Sequence, residues 1–130
     1  MKKCIRKMVT LKDLKGKEGL DYDSLNFKDS FIEIVEIKDY SKNDKEEQKR
    51  VIIQTAKLVE GRNIRGTTFI TLFRDEEGNL CYSTSPNSKA SKMLKFFGVD
   101  NFEDLKGKPC KVVVKLDNNF KKKVEIWFGD

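Results

Sequence analysis

Ser85-Pro86-Asn87-Ser88-Lys89-Ala90-Ser91-Lys92-Met93-Leu94-Lys95-Phe96-Phe97-Gly98 carries the reading that decides the fold. Ser85 suits a helix N-cap and Pro86 the first helical position. Ala90, Met93, Leu94 and Phe97 recur at helical spacing and mark one apolar face, with Lys89, Lys92 and Lys95 elsewhere on the helix. Gly98 supplies the stop. Asp100 to Glu103 reads as a capping pair for one further turn containing Phe102 and Leu105, broken at Gly107.

On both sides of this helix the period changes to two. Upstream, Phe31 to Lys38 is rich in β-branched residues and reads as a strand, as do Val51 to Val59 and Thr67 to Arg74. Asp39 to Arg50 is a polar loop carrying Lys42, Lys45, Lys49 and Arg50. Gly61-Arg62-Asn63-Ile64-Arg65-Gly66 is a turn bounded by glycines, and Asp75 to Asn79 is another, returning into Leu80 to Thr84. Downstream, Cys110, Val112, Val114 and Leu116 alternate with Lys111, Val113 and Lys115. After the turn Asp117-Asn118-Asn119, Val124, Ile126 and Phe128 alternate with Lys123, Glu125 and Trp127.

Strand, strand, strand, helix, strand, strand is the chain order of an OB-fold, a small partly open barrel. The expected fold is therefore mainly β: an OB-like barrel over residues 31–130, preceded by an N-terminal arm at 1–30. In that arm Leu11, Leu14, Leu20, Leu25 and Phe27 are scattered among charges, and loose packing on the barrel is expected.

With 130 residues, one domain is expected. Lys and Arg number 27 against 21 Asp and Glu, a net charge of +6, which favours a polyanionic partner if the cations gather on one face and means only solubility if they do not. Cys4, Cys81 and Cys110 form no C-x-x-C pair, so no metal site and no disulfide framework is expected; a reducing cytoplasm is the simplest setting. Met1-Lys2-Lys3 is not followed by an apolar run, so neither secretion nor a membrane partner is expected.

The chain contains no histidine, which removes the commonest general base and every His-dependent nucleophile arrangement. It has no phosphate-loop or G-x-G-x-x-G pattern. Asp75-Glu76-Glu77 reads as a solvated turn rather than a two-metal centre. No catalytic residue and no cofactor is expected.

Single-strand binding needs cations along the phosphates and flat faces for the bases. Lys57, Arg62, Arg65 and Arg74 are candidate cations, and reversing Arg62 and Arg65 to Glu is expected to weaken binding without moving the thermal midpoint. If Ile70 and Leu72 point inward, Phe69 and Phe73 form an outward platform; the opposite register buries both rings, and alternation does not choose. Trp127 shares a face with Lys123 and Glu125, as an exposed stacker or as a rim residue covered by the arm. Phe120-Lys121-Lys122-Lys123 reads as a binding loop at a hairpin tip, or as charges that guard an exposed hairpin.

Gly61-Arg62-Asn63-Ile64-Arg65-Gly66 after a strand, Lys92-Met93-Leu94-Lys95-Phe96-Phe97-Gly98 in the helix, and Asp104-Leu105-Lys106-Gly107-Lys108-Pro109-Cys110-Lys111-Val112-Val113-Val114 entering a strand together resemble phage-type single-stranded-DNA-binding proteins of the OB-fold. The resemblance spans about residues 31–128. It implies largely sequence-independent binding of single-stranded DNA, a place in DNA replication, and compatibility with a homo-oligomer. The chain lacks the Gly/Gln/Pro-rich tail and acidic tip of bacterial housekeeping single-strand binders, so tail-mediated recruitment of enzymes is not expected. The rival expectation is a phage or mobile-element accessory protein that turns the same barrel against a protein partner, with an apolar patch around Trp127.

Overall fold

The computed structural model describes residues 10–16, 19, 21–40 and 48–129. In chain order the strands and helix are β1 (Lys28–Asp39), β2 (Lys49–Thr55), β3 (Thr67–Thr71), β4 (Phe73–Arg74), β5 (Leu80–Cys81), α1 (Lys89–Phe97), β6 (Pro109–Leu116) and β7 (Lys122–Trp127). Five strands form one antiparallel sheet in the order β3-β2-β1-β6-β7, and β4 pairs with β5 in a separate ribbon. The protein is mainly β with a single α-helix among the described residues. The five-stranded sheet is not closed by hydrogen bonds: β3 and β7 are its two edges. Among the described residues no helix is long and apolar enough to cross a membrane.

β1 is shared between two partners. Lys28 to Phe31 pair with Val112 to Pro109 of β6, whereas Ile32 to Asp39 pair with β2. At the changeover the register steps from Ile32↔Thr55 to Ile34↔Gln54, leaving Glu33 as one extra residue, a bulge that bends the strand. Arg65 holds the bend: its guanidinium pairs with the Glu33 carboxylate and donates to Thr55 O at 2.8 Å.

The alternation resolves in favour of one register. Val51, Ile53 and Thr55 of β2 are buried, and Thr68 and Ile70 of β3 with them. The main core joins Ile32, Ile53 and Ile70 to Ala90, Met93 and Leu94 of α1 and to Phe102 and Leu105 of a short 3-10 helix. Each fully buried side chain of this size contributes about 1.5–3 kcal/mol. A second cluster comprises Leu25, Leu58 and Val112, flanked by Tyr22, Ile64 and Val124. The end of the expected arm is thus part of the packing: Leu25 is 2% exposed and β1 begins at Lys28, because a leucine there fills the hollow beside Val112.

Several boundaries differ from the sequence expectation. The second strand stops at Thr55 rather than Val59. There the Thr55 amide donates to Gly66 O (2.9 Å), the Gly66 amide donates to Thr55 Oγ1 (2.8 Å), and Leu58 N–H closes a loop onto Ile64 O. The expected third strand breaks at Leu72, whose amide goes to Lys49 O while Phe73 and Arg74 turn to β5. The helix cap is Ser88, not Ser85: Ser88 Oγ accepts from Ser91 N–H at 3.2 Å. Pro86 instead occupies the second position of a turn closed by Ser88 N–H to Ser85 O, where its fixed φ fits equally well. Gly98 ends α1 at φ 68, as a left-handed cap requires. The extra turn is capped by Asn101. Lys42 and Lys45 of the polar loop, and Cys4, lie outside the described residues.

Two stability measurements follow from this geometry. Ser88→Ala should lower the unfolding free energy by about 1 kcal/mol, and Ser85→Ala should change it by no more than about 0.5 kcal/mol, in urea titrations followed by circular dichroism. A Cβ built on Gly66 would lie 2.5 Å from Val112 Cγ1 and 3.2 Å from Thr55 Cγ2. Gly66→Ala should therefore destabilise by about 1–3 kcal/mol in the same assay.

Candidate nucleic-acid interface

The gap between the edge strands is where the cations gather. A cleft of about 760 Å³ is walled by Lys89, Lys92, Lys95 and Phe96 of α1, Lys115 of β6, Glu125 of β7 and Thr68 of β3. A second hollow of about 450 Å³ is walled by Gln54, Asn63, Arg65, Thr67, Phe69, Lys122 and Lys123. Both include Lys89 and Glu125, so they form one trough running between β3 and β7. Its lining holds six lysines and Arg65 against a single carboxylate, Glu125.

Alternation on the hairpin produces this. Val112, Val114, Val124 and Ile126 lie in or against the packed clusters, so Lys115, Lys123 and Glu125 stand on the other side. Lys89 is the first residue of α1, and Lys92 and Lys95 follow at three-residue steps, a stripe that starts on the Met93 side of the helix and winds round to the side away from it. The Lys89 ammonium is held below its ordinary pKa, first by burial and then by repulsion from Lys115 and Lys123, with Glu125 opposing. Lys115 is 3.7 Å from Glu125, and Lys123 is 4.0 Å from Asp117. The excess of like charge in a partly desolvated trough is what an anion would relieve.

Flat groups lie beside the charge. Phe69 is 37% exposed on the trough wall. The Arg50 guanidinium lies 4.1 Å from the Phe69 ring centroid and 3.4 Å from that of Tyr40, so three flat groups stack in a row. Arg50 Nε is buried without a hydrogen-bond partner, leaving stacking as the main contact of this side chain among the described residues.

Of the nine residues singled out from the sequence, Arg65 and Phe69 line the trough. Arg65 is only 16% exposed in its side chain and is committed to Glu33 and Thr55. Lys57 and Arg62 are exposed on the loop after β2, outside the lining although Asn63 belongs to it. Phe73 (51% exposed) and Arg74, which donates to Gly78 O at 2.7 Å, are on the β4–β5 ribbon. Phe120 and Lys121 stand at the β6–β7 tip, also outside the lining. Trp127 is half-buried rather than bare. Its ring meets Phe96 edge-on at 5.3 Å and Phe27, from the end of the arm, at 6.4 Å. It borders a separate apolar hollow with Pro109 and Cys110.

The sequence reading missed Lys89, Lys115 and Tyr40; it had Lys123 only as part of the Phe120–Lys123 hairpin loop and Arg50 only as part of the polar loop Asp39 to Arg50. Lys89, Lys92 and Lys95 carry a signal that could have been used, three cations at i, i+3 and i+6. Tyr40 and Arg50 carry none, because their stacking depends on the β1–β2 register. Among the described residues no three His, Cys, Asp or Glu side chains are placed to hold a metal ion. No protein-family model matches the chain, and no curated protein is similar to it.

The two arginines should behave differently. Arg65→Glu places a carboxylate against Glu33 and should lower the unfolding free energy by about 1–3 kcal/mol, whereas Arg62→Glu, at an exposed position, should shift it by under about 0.5 kcal/mol; thermal melts of the two variants side by side decide it.

Proposed function

We propose that the protein binds single-stranded DNA, with little sequence preference, in the trough between β3 and β7. The observation that carries this reading is the convergence of Lys89, Lys115 and Lys123, from three different elements, on one partly desolvated cleft. Phosphates would track these lysines together with Lys92, Lys95 and Lys122, and a base would stack on Phe69, whose ring is stiffened from behind by Arg50 and Tyr40. We also read the fold as an OB-like barrel with an open seam. The support is the strand order, the bulged β1 shared by β2 and β6, and the placement of α1 between the third and the last two main strands. In such barrels the second and third strands face the oligonucleotide, and Phe69 and Gln54 lie on those strands. Free thiols at Cys81 and Cys110 support a reducing, cytoplasmic setting.

A second reading, a protein-interaction module on the same barrel, is favoured by one observation: the apolar hollow bordered by Phe96, Pro109 and Trp127. The two surfaces share only Phe96, so they can be separated by variants of residues that belong to one of them.

Fluorescence anisotropy of a labelled oligonucleotide at several salt concentrations tests the main reading. Affinity should fall with salt at a slope of about −0.7 per phosphate neutralised. The triple change Lys89→Gln, Lys115→Gln, Lys123→Gln should make that slope shallower by about 2. Phe69→Ala should weaken binding by about 1–3 kcal/mol and leave the slope unchanged. Absence of salt-dependent binding, or a slope indifferent to the three lysines, would overturn the proposal.

A further inference from the structure

Two features that the trough leaves unused complement one another. The first is Phe120 at the β6–β7 tip. It is 84% exposed and sits at φ 60, a left-handed conformation that a phenylalanine adopts only at some cost. Asn118 and Asn119 beside it are residue types that take such backbone readily, yet the ring is what the turn presents to solvent. The turn is not loose: Asp117 Oδ1 accepts from the amides of Asn119 (2.8 Å) and Lys121 (2.9 Å), and Phe120 N–H donates to Asp117 O. A rigid turn therefore holds out an apolar ring followed by Lys121.

The second feature is the hollow at the other end of the same hairpin. It encloses about 270 Å³ between Phe96, Pro109, Cys110 and Trp127, with Asp29 and Lys111 at its polar border. A closed cavity of roughly 150 Å³ is enough to take benzene, so this open hollow has room for a phenyl ring. Asp29 is exposed and makes no ion pair with a described residue, so an acid is free where an incoming cation would arrive.

Lys122 and Trp127 are the two ends of β7, about 17 Å apart along the strand. The tip therefore cannot reach the hollow of its own chain. We propose that the occupant is a second copy: Phe120 of one molecule enters the Phe96–Pro109–Trp127 hollow of its neighbour, with Lys121 against Asp29. Each molecule carries one tip and one hollow, so it gives its tip to one neighbour and receives the tip of another. Neither Phe120 nor Asp29 lines the trough, and the association requires no nucleic acid.

Sedimentation of the full chain without oligonucleotide, over a range of protein concentrations, tests this. The average mass should rise with concentration. Phe120→Ser, which keeps the hollow, and Asp29→Lys, which keeps the tip, should each weaken association at least tenfold. Mixing the two should restore pairing, because Asp29→Lys supplies Phe120 and Lys121 while Phe120→Ser supplies an intact hollow with its Asp29. The combined charge exchange Asp29→Lys with Lys121→Asp should restore self-association within one chain. Trp127 emission should change with concentration in the parent and not in Phe120→Ser. A monomer at every concentration, or a Phe120→Ser variant that associates like the parent, overturns the proposal, whatever the oligonucleotide experiments find.

Discussion

Gly66 lies against Val112, and the rest of the architecture depends on that approach. Any side chain at this position would push the start of β3 away from β6. With no side chain there, the two ends of the sheet curl toward one another. The bulge at Glu33 supplies the bend on the opposite side, and Arg65 ties it to the end of β2. Arg65 and Gly66 are adjacent in sequence, so one short turn fixes both places where the sheet must bend. The gap between β3 and β7, with its lysines, is a consequence of this curl rather than of any feature of the edge strands themselves.

The charge in that gap is stored at close quarters. Lys89 binds its proton less tightly because it is partly buried; Lys115 and Lys123 add repulsion, and Glu125, the largest single charge effect on it, opposes them. Glu125 also pairs with Lys115. An anion in the gap would offset the excess of six lysines over Glu125. The stack of Tyr40, Arg50 and Phe69 adds a flat surface whose cation is shielded from solvent by two rings.

Period-two segments located the strands well, although burial alternates cleanly only in β2 and β3 and β6 buries both Val112 and Val113. What alternation left open was which side. That was decided across strands: Ile70 pairs with Val51 and Thr68 with Ile53, so once β2 turned its aliphatic residues inward, Phe69 had to face out. The helix was legible from Ala90, Met93, Leu94 and the Gly98 stop, while its start was misread because Ser85 and Ser88 are both capping residues and Pro86 serves a turn as readily as a helix. Arg65 looked like a free cation because Glu33 is 32 residues away. The trough was not legible at all: Lys89, Lys115 and Lys123 belong to three elements, and only the fold makes them neighbours. The end of the arm was likewise hidden, since the place of Leu25 is set by Leu58 and Val112.

The unpaired edges give the molecule one soft direction. β1, β2 and β6 each carry two ladders, in β1 one after the other along the strand, but no ladder links β3 to β7. The spacing across the seam is set by side chains alone, so it can widen or narrow without severing a backbone hydrogen bond. A guest of irregular thickness can then be gripped along its length by a wall that gives where the guest is bulky and follows it where it is slim.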